Sequence, residues 1–167
     1  MTKKTDLAYI AGILDGEGYI GIKRDSSVKK GCANRSYHAR IQVRMVDEPA
    51  IAFLAETLGG WYYAEKAHLV NGRPLFCYQA SDAAAVAILR IVLPYLRVKR
   101  GAAEIVLELR AMQDGGWKHR TKVVGHRSFP NGYGTVRQVP NLAYSDEYIA
   151  ECERLWLAAK AFNRVGV

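Results

Sequence analysis

The amino-acid sequence predicts an α+β protein whose core has the order αββαββα, with a four-stranded antiparallel sheet and helices on one face of that sheet. Three observations support this prediction. Two successive segments repeat one helical pattern followed by two alternating strand patterns. Asn71-Gly72 is a typical turn between two paired strands. Half of the 167 residues are apolar and 24% are charged, which is ordinary for a globular chain of this length.

The first half begins with a helix over about Thr5 to Asp15, which is followed by the alternating segments YIGIKRDSSVKKG and RSYHARIQVRM. The second half begins with a helix in VDEPAIAFLAETLGG, with Asp47 as its N-cap, Pro49 in its first turn and glycine after its end. A second hairpin follows, and the helix DAAAVAILRIVL, capped by Ser81 and ended by Pro94, completes the core.

Two further helices, KRGAAEIVLELRAMQ and DEYIAECERLWLAAKAF, follow the core. Between them, the stretch from Asp114 to Pro140 is rich in glycine and basic residues and is predicted to be a long irregular segment. We therefore predict one domain over residues 1–167, with a core at about 6–113, a basic loop at 114–140 and a C-terminal helix at about 145–163.

The net charge of +8 favours an anionic partner, either a nucleic acid or a membrane surface. No run of eighteen apolar residues is present, so no membrane span is expected, and Met1 to Asp6 does not begin a signal peptide. Cys32, Cys77 and Cys152 fit neither a disulfide framework nor a zinc motif. They predict a reducing intracellular location, in the cytoplasm or an organelle, with buried or indifferent thiols.

One face of the predicted sheet is polar and basic. In SYHARIQVRM, the apolar residues alternate with His38, Arg40, Gln42 and Arg44, and the neighbouring strands add Lys23 and Lys66. Arginine, glutamine and lysine are the side chains that read guanine and adenine edges in DNA. A plain solvated sheet face explains the alternation equally well. The net charge and the basic residues of the 114–140 segment (Lys118, Arg120, Lys122, Arg127 and Arg137) favour DNA.

The first helix carries small residues at a spacing of four, namely Ala8, Gly12 and Gly16. Glycine inside a helix costs about 1 kcal/mol relative to alanine, and close packing against the same stripe of a second copy would explain Gly12. Such packing would bring two Asp15–Gly16–Glu17 segments together, where a Mg²⁺ ion would relieve the repulsion between their carboxylates. The alternative is an ordinary helix end with solvated acids, which a lone D-G-E-G would favour. The stripe and the basic sheet face argue against that alternative.

These residues resemble a known family. IAGILDGEG, from Ile10 to Gly18, is similar to the LAGLIDADG motif of homing endonucleases: four letters are identical, four are conservative and glycine replaces one alanine. LPYLRVKR, from Leu93 to Arg100, resembles the segment that ends the family's core repeat, and the resemblance covers about Asp6 to Gln113. Only one copy of the motif is present, and single-motif members of the family act as homodimers. The resemblance therefore implies a homodimer whose interface includes Ala8, Gly12 and Gly16.

The resemblance also implies roles for individual residues. Glu17 corresponds to the metal-binding acid, with the Gly16 carbonyl as a further ligand. Asp15 also belongs to the metal-site set, although its position is better assigned to supporting the helix end. Lys99 corresponds to the lysine that orders or polarises water at the scissile phosphate. Gln42 lies where members use a polar side chain for DNA contact or for water ordering, and we include it with Glu17 and Lys99 as catalytic.

One position departs from the family pattern. A polar, water-ordering residue often follows the second strand in the family, whereas this chain has Met45 and Val46 there. Either Gln42, Arg44 or Asp47 replaces that residue, or the water-ordering function is lost.

The implied activity is site-specific cleavage of double-stranded DNA, by hydrolysis with Mg²⁺ (Mn²⁺ is an alternative) at a long and roughly palindromic target. The expected DNA-contacting residues are Lys23, His38, Arg40, Gln42, Arg44, Lys66, Lys118, Arg120 and Lys122. Two alternatives use the same scaffold: a maturase that binds intron RNA, and a DNA-binding regulator without catalytic activity. The presence of Asp15, Glu17 and Lys99 together favours the nuclease.

Overall fold

The computed structural model describes residues 3–26, 34–66, 72–130 and 136–164. The elements in chain order are α1 (Lys4–Glu17), β1 (Gly18–Arg24), β2 (Tyr37–Met45), α2 (Glu48–Leu58), β3 (Tyr62–Glu65), β4 (Leu75–Ser81), α3 (Asp82–Val92), α4 (Arg100–Asp114), a 3₁₀ helix (Gly116–His119), β5 (Lys122–Pro130), β6 (Val136–Ala143) and α5 (Asp146–Arg164). The αββαββα order of the core is confirmed.

Strands β1 to β4 form one antiparallel sheet in the order β1-β2-β4-β3. The register places Ile20 opposite Ile41, and Ile41 opposite Ala80, on the face that packs against the helices. Ile20, Ile41 and Val43 are fully buried, together with Leu14 from α1 and other apolar residues of the helices. Period-two alternation is what buries one set of strand side chains and exposes the other. The predicted α+β fold, with helices on one face of the sheet, is therefore confirmed.

The helix ends agree with the sequence in part. The Asp47 carboxylate caps α2 by accepting a hydrogen bond from Ala50 N at 3.0 Å, as predicted. Ser81 precedes α3, but its side chain makes no capping hydrogen bond, so the predicted capping role is wrong. The first residue of α3, Asp82, has φ +49°, a left-handed conformation that aspartate tolerates better than most residues. Helix α1 extends beyond Asp15 to Glu17, which places Asp15 inside its last turn.

The described parts of the 114–140 segment, 114–130 and 136–140, are not irregular, so the prediction of an irregular segment is wrong there. After α4 and the 3₁₀ helix, β5 and β6 pair as a separate antiparallel hairpin with an irregularity between Val123 and Gly125. A hydrogen bond of 2.8 Å joins Gln138 Nε2 to Ser128 Oγ across the hairpin. Every residue of β5 is exposed. The sequence lacks alternation here because neither face of the hairpin is buried in the core.

Helix α5 packs against α4 and along β1, which is an edge strand of the sheet. Asn163 Nδ2 donates to the Ile20 carbonyl at 2.9 Å, and Tyr37 OH donates to Glu153 Oε2 at 2.5 Å. Arg24 pairs with Glu153 and lies over the Trp156 ring at 3.9 Å from its centroid. The helix therefore covers the β1 edge, where unpaired backbone groups would otherwise invite another strand.

Two of the predicted buried thiols are confirmed, because Cys77 and Cys152 are buried and not in disulfides. Cys32 lies outside the described residues, as does Asn71 of the predicted hairpin turn. Among the helices that the structure describes, none is both long and apolar enough to cross a membrane.

Candidate nucleic-acid interface and catalytic centre

The end of α1 is tied to the segment that precedes α4. Both carboxylate oxygens of Asp15 accept backbone hydrogen bonds at 2.8 Å, Oδ2 from Arg97 N and Oδ1 from Lys99 N. Asp15 therefore satisfies the amide of Lys99, the N-cap residue of α4, together with the amide of Arg97 in the turn before it. These contacts explain why an acid is placed at the unfavourable, negative end of α1: it serves the positive end of another helix.

The side chain of Lys99, in turn, binds the end of α1. Its Nζ donates to the Leu14 carbonyl at 3.0 Å and to the Gly18 carbonyl at 2.5 Å. The ammonium thus lies at the carboxyl end of α1, where the helix dipole favours a cation, although its backbone lies at the start of α4. Burial lowers the pKa of Lys99, while the charges of Asp15 and Glu17 oppose that shift.

Gly18 fits between these groups because it has no side chain. A Cβ atom at Gly18 would lie 2.7 Å from the Leu14 carbonyl oxygen and 2.8 Å from Leu14 Cα, both of which are backbone atoms. The last residue of the IAGILDGEG motif therefore has to be glycine for the chain to leave α1 and enter β1 in this way.

Glu17 is the carboxylate that remains uncommitted. It is exposed, and within the described part of the chain it makes no hydrogen bond or ion pair. No group of three or more histidine, cysteine, aspartate or glutamate residues in that same part could hold a metal ion. At the end of α1, the described residues of one chain therefore offer a single free carboxylate, with the Gly16 carbonyl beside it in sequence. These are hard oxygen donors of the kind that Mg²⁺ takes, but they are too few to hold the ion without help from a second copy.

The outer face of the sheet carries the predicted polar residues, and each of those on β2 has a partner. Arg40 NH2 donates to Gln79 Oε1 at 2.8 Å, and Arg44 pairs with Glu65, which raises the pKa of Arg44. His38 Nδ1 lies 3.1 Å from both carboxylate oxygens of Asp82. These contacts join neighbouring side chains along the outer face of the sheet. The predicted division of β2 into a buried and a polar face is confirmed.

Sequence reasoning missed two further polar residues on this face, Gln79 and Tyr63. The register aligns Tyr19, Gln42 and Gln79 in one row across three strands. Gln42 Nε2 contacts Cys77 Sγ at 3.2 Å, and a hydrogen bond with Cys77 raises the pKa of Tyr63. The alternation in LFCYQAS, with Phe76, Tyr78 and Ala80 on the other face, was the signal that could have found Gln79.

The predicted catalytic residues converge on one end of the sheet. Gly18 pairs with Val43, so Gln42 and Arg44 flank the position at which α1 delivers Glu17 to the sheet. Lys23 and His38 pair with each other at the opposite end of the same strands. Of the alternatives for the missing water-ordering residue, Asp47 is engaged as the α2 cap, whereas Gln42 and Arg44 lie on the outer face.

The predicted basic residues outside the sheet are exposed but scattered. Lys66 follows β3 at the far edge, and Lys118 lies in the 3₁₀ helix. The Arg120 guanidinium lies over the Tyr144 ring, 4.9 Å from its centroid. Lys122 Nζ is 2.9 Å from both carboxylate oxygens of Asp146, so its charge is partly satisfied within the chain.

The small-residue stripe of α1 faces outward. Ala8, Gly12 and Gly16 are all exposed, and a Cβ atom at Gly12 or Gly16 would meet nothing within 4 Å. Intrachain packing therefore does not explain the glycine in this helix. The stripe borders a groove of about 650 Å³ between α1 and the 94–100 segment, lined by Ala8, Gly12, Asp15, Pro94, Tyr95, Leu96, Arg97 and Arg100.

Comparison with solved structures identifies the fold. The homing endonuclease I-CvuI, in complex with the I-CreI DNA target, is similar with a TM-score of 0.63 and 16% identity over 95% of this chain and 82% of that one. The archaeal intron-encoded homing endonuclease I-Vdi141I, complexed with DNA, has a TM-score of 0.65 and 13% identity over 95% of this chain and 84% of that one. The LAGLIDADG homing endonuclease I-GzeII, in complex with a DNA target, has a TM-score of 0.53 and 12% identity. That match covers 70% of this chain and 38% of the I-GzeII chain.

The chain therefore has the fold of the LAGLIDADG homing endonucleases, and the resemblance predicted from IAGILDGEG is confirmed at the level of the fold. No protein-family model and no curated protein matches the chain in sequence.

Proposed function

We propose that the protein is a site-specific endonuclease that cleaves double-stranded DNA by metal-dependent hydrolysis and acts as a homodimer. The observation that carries the proposal is the end of α1, where a free carboxylate, Glu17, lies beside a lysine that is already oriented, Lys99. The solved structures with this fold include several homing endonucleases bound to DNA, which supports the same kind of partner here.

The residues divide into supporting and reacting groups. Asp15 holds the α4 amide groups and thereby fixes Lys99 relative to α1. Lys99 places a positive charge beside the carbonyls at the α1 end, where it would stabilise negative charge that develops on a scissile phosphate. Gln42 and Arg44, on the adjacent outer face, would order the attacking water or hold the phosphate. The outer sheet face then supplies the base contacts through Arg40, Gln42 and Gln79.

The metal would be held by Glu17 and the Gly16 carbonyl of each of two copies. A bound divalent ion, Mg²⁺ or alternatively Mn²⁺, supplies Lewis acidity at the phosphate and lowers the pKa of the attacking water. Asp15 is a poorer candidate ligand than the sequence suggested, because both of its oxygens accept backbone hydrogen bonds.

A second copy completes the site and explains the stripe. Because Ala8, Gly12 and Gly16 are exposed and small, two α1 helices could approach closely about a twofold axis. That arrangement would place both Glu17 carboxylates next to each other. It would also impose its own symmetry on the DNA target, which should be roughly palindromic.

The alternatives from sequence, an RNA-binding maturase and an inactive DNA-binding regulator, need the basic sheet face but not Glu17. A matched pair of variants separates them from the nuclease. Glu17→Gln removes a proposed metal ligand with little change in shape, and Glu104→Gln, at an exposed carboxylate on α4, serves as the control. Each is incubated with a genomic or randomised duplex library and Mg²⁺, and the new DNA ends are sequenced.

We expect the wild type and the control to cut at the same sites. The Glu17→Gln variant should bind duplex DNA with unchanged affinity and release no ends. Replacement of Mg²⁺ by Ca²⁺ in the wild type should likewise allow binding without efficient cutting. Cleavage by Glu17→Gln at the wild-type rate would contradict the active-site assignment, and binding of RNA in preference to duplex DNA would favour the maturase.

A further inference from the structure

A second basic feature of the molecule lies far from Glu17. A cleft of about 620 Å³ opens between the β5–β6 hairpin, helices α4 and α5, and the end of the sheet at which His38 lies. Four arginines line it, namely Arg35, Arg110, Arg120 and Arg127. The one carboxylate in the lining, Asp82, is bonded to His38. Two of them face acids just outside the lining, because Arg110 Nε lies 2.7 Å from Asp114 Oδ1 and Arg35 lowers the pKa of Glu153. Arg120 and Arg127 are therefore the guanidinium groups that can attract and hold phosphates in this concave surface.

The hairpin side of this cleft carries a net positive charge. Neither β5 nor β6 contains an acidic residue. Arg127 lines the cleft, and the register places Phe129 and Arg137 on the same face of the hairpin, since Phe129 pairs with Arg137 two positions along from Arg127. In the part of the chain that the structure describes, Arg127 has no acidic partner.

At the base of the hairpin, one arginine of the cleft lies on a stack of aromatic rings. Arg120 lies over the Tyr144 ring, Tyr144 stacks on Tyr148 with centroids 4.7 Å apart, and Tyr148 stacks on His119 at 4.9 Å. Arg120 NH2 also donates to Tyr144 OH at 3.4 Å. This stack fixes the guanidinium before any ligand arrives, which lowers the entropy cost of binding.

The position of the cleft favours DNA as its ligand. His38 belongs both to the outer sheet face and to the cleft lining, so the two basic surfaces are continuous. Strand β1 is seven residues long, and at about 3.3 Å per residue it places the cleft end of the sheet about 20 Å from the α1 end. A duplex lying along the sheet would therefore reach the cleft about six base pairs from the scissile phosphates, at about 3.4 Å per base pair.

We propose that this cleft, together with the basic face of the β5–β6 hairpin, is a separate DNA-backbone site that grips one strand of the duplex in the outer part of each half-site. The inference rests on the proposed function, because it assumes that a duplex lies along the sheet. It differs from base reading, since guanidinium contacts with phosphates add affinity without sequence preference.

The test measures how the binding of full-length protein to a labelled random duplex of about 40 base pairs depends on salt. The variants are Arg127→Gln and Arg120→Gln, and the control is Arg90→Gln, at an exposed arginine of α3 on the helical side. Each cleft variant should reduce the slope of log K against log salt by about 0.9 and weaken binding about fivefold at 0.15 M salt. The control should do neither.

The outcomes separate this inference from the proposed function. If the wild type binds duplex DNA and both cleft variants keep its salt slope, the cleft site is refuted and the proposed function stands. If the wild type does not bind duplex DNA, the proposed function fails. If a hairpin RNA binds in preference and only its binding depends on Arg127, the cleft binds RNA and the inference is wrong. Because Arg127 lies on an exposed hairpin, its replacement tests the cleft even if loss of Arg120 disturbs the aromatic stack.

Discussion

Replacement of Asp15 distinguishes a structural support from a metal ligand. Asp15→Ala removes two carboxylate hydrogen bonds of 2.8 Å to Arg97 N and Lys99 N. By analogy with a capping side chain, loss of the bond to the amide of Lys99, the N-cap residue of α4, costs about 0.5–2 kcal/mol. Loss of the second bond, to Arg97 N, adds about 1.5 kcal/mol. Removal of a carboxylate from the negative end of α1 returns about 0.5 kcal/mol. The net expected loss in the free energy of unfolding is about 2 kcal/mol.

Asp15→Asn is the informative companion. It keeps one carbonyl oxygen that can accept a hydrogen bond but loses the charge beside Lys99, so we expect a loss of about 1 kcal/mol. Urea unfolding followed by circular dichroism measures both values without DNA or metal. For a chain of this size, 2 kcal/mol corresponds to a decrease in Tm of about 4–8 °C.

Glu17→Gln is the control in the same assay. Glu17 is exposed and makes no hydrogen bond within the described residues, so its replacement should leave stability unchanged within about 0.5 kcal/mol. The reasoning would be refuted if Asp15→Ala were as stable as the wild type, or if Glu17→Gln lost as much stability as Asp15→Ala.

Two further predictions concern packing and pH. A Cβ atom at Gly12 meets nothing within 4 Å, so Gly12→Leu should leave the single chain folded. The leucine should nevertheless block close packing of two α1 helices, so that sedimentation shows a monomer and cleavage is lost. A stable and active dimer would place the interface elsewhere. Burial, and then the hydrogen bond to Glu153, raise the pKa of Tyr37 to about 12, so the neutral form is favoured in the fold. The stability advantage of the wild type over Tyr37→Phe should therefore be complete below pH 10 and shrink by about 1.4 kcal/mol per pH unit between pH 10 and pH 12. A constant difference would contradict this account.

The sequence was informative wherever one face of an element is buried. In β2 the alternation of Tyr37, Ala39, Ile41 and Val43 with polar residues predicted both the strand and its two faces. Alternation could not predict β5 and β6, because both faces of that hairpin lie away from the core and no alternation is required. The serine before α3 predicted an N-cap that is not formed. The Ser81 side chain makes no capping hydrogen bond, and the chain enters the helix through Asp82 in a left-handed conformation.

The sequence named the candidate residues but not their arrangement. The family resemblance grouped Asp15, Glu17 and Lys99, but it did not indicate what holds the lysine in place. In the structure, the Lys99 ammonium lies at the carboxyl end of α1. Such contacts depend on how two distant segments dock, and residue spacing alone does not contain that information.

The hydrogen bonds of Asp15 and Lys99, which join α1 to the 97–99 segment, also affect when the proposed catalytic site forms during folding. Asp15 and Lys99 are 84 residues apart in the chain, and the whole β1–β4 sheet lies between them in sequence. Contacts of such long range form only when the loop-closure entropy of the intervening chain has been overcome. A nascent chain, or one opened locally at the 97–99 segment, would carry every residue of the IAGILDGEG motif without an oriented lysine. The proposed catalytic site would therefore exist only where the α1 end and the 97–99 segment are docked.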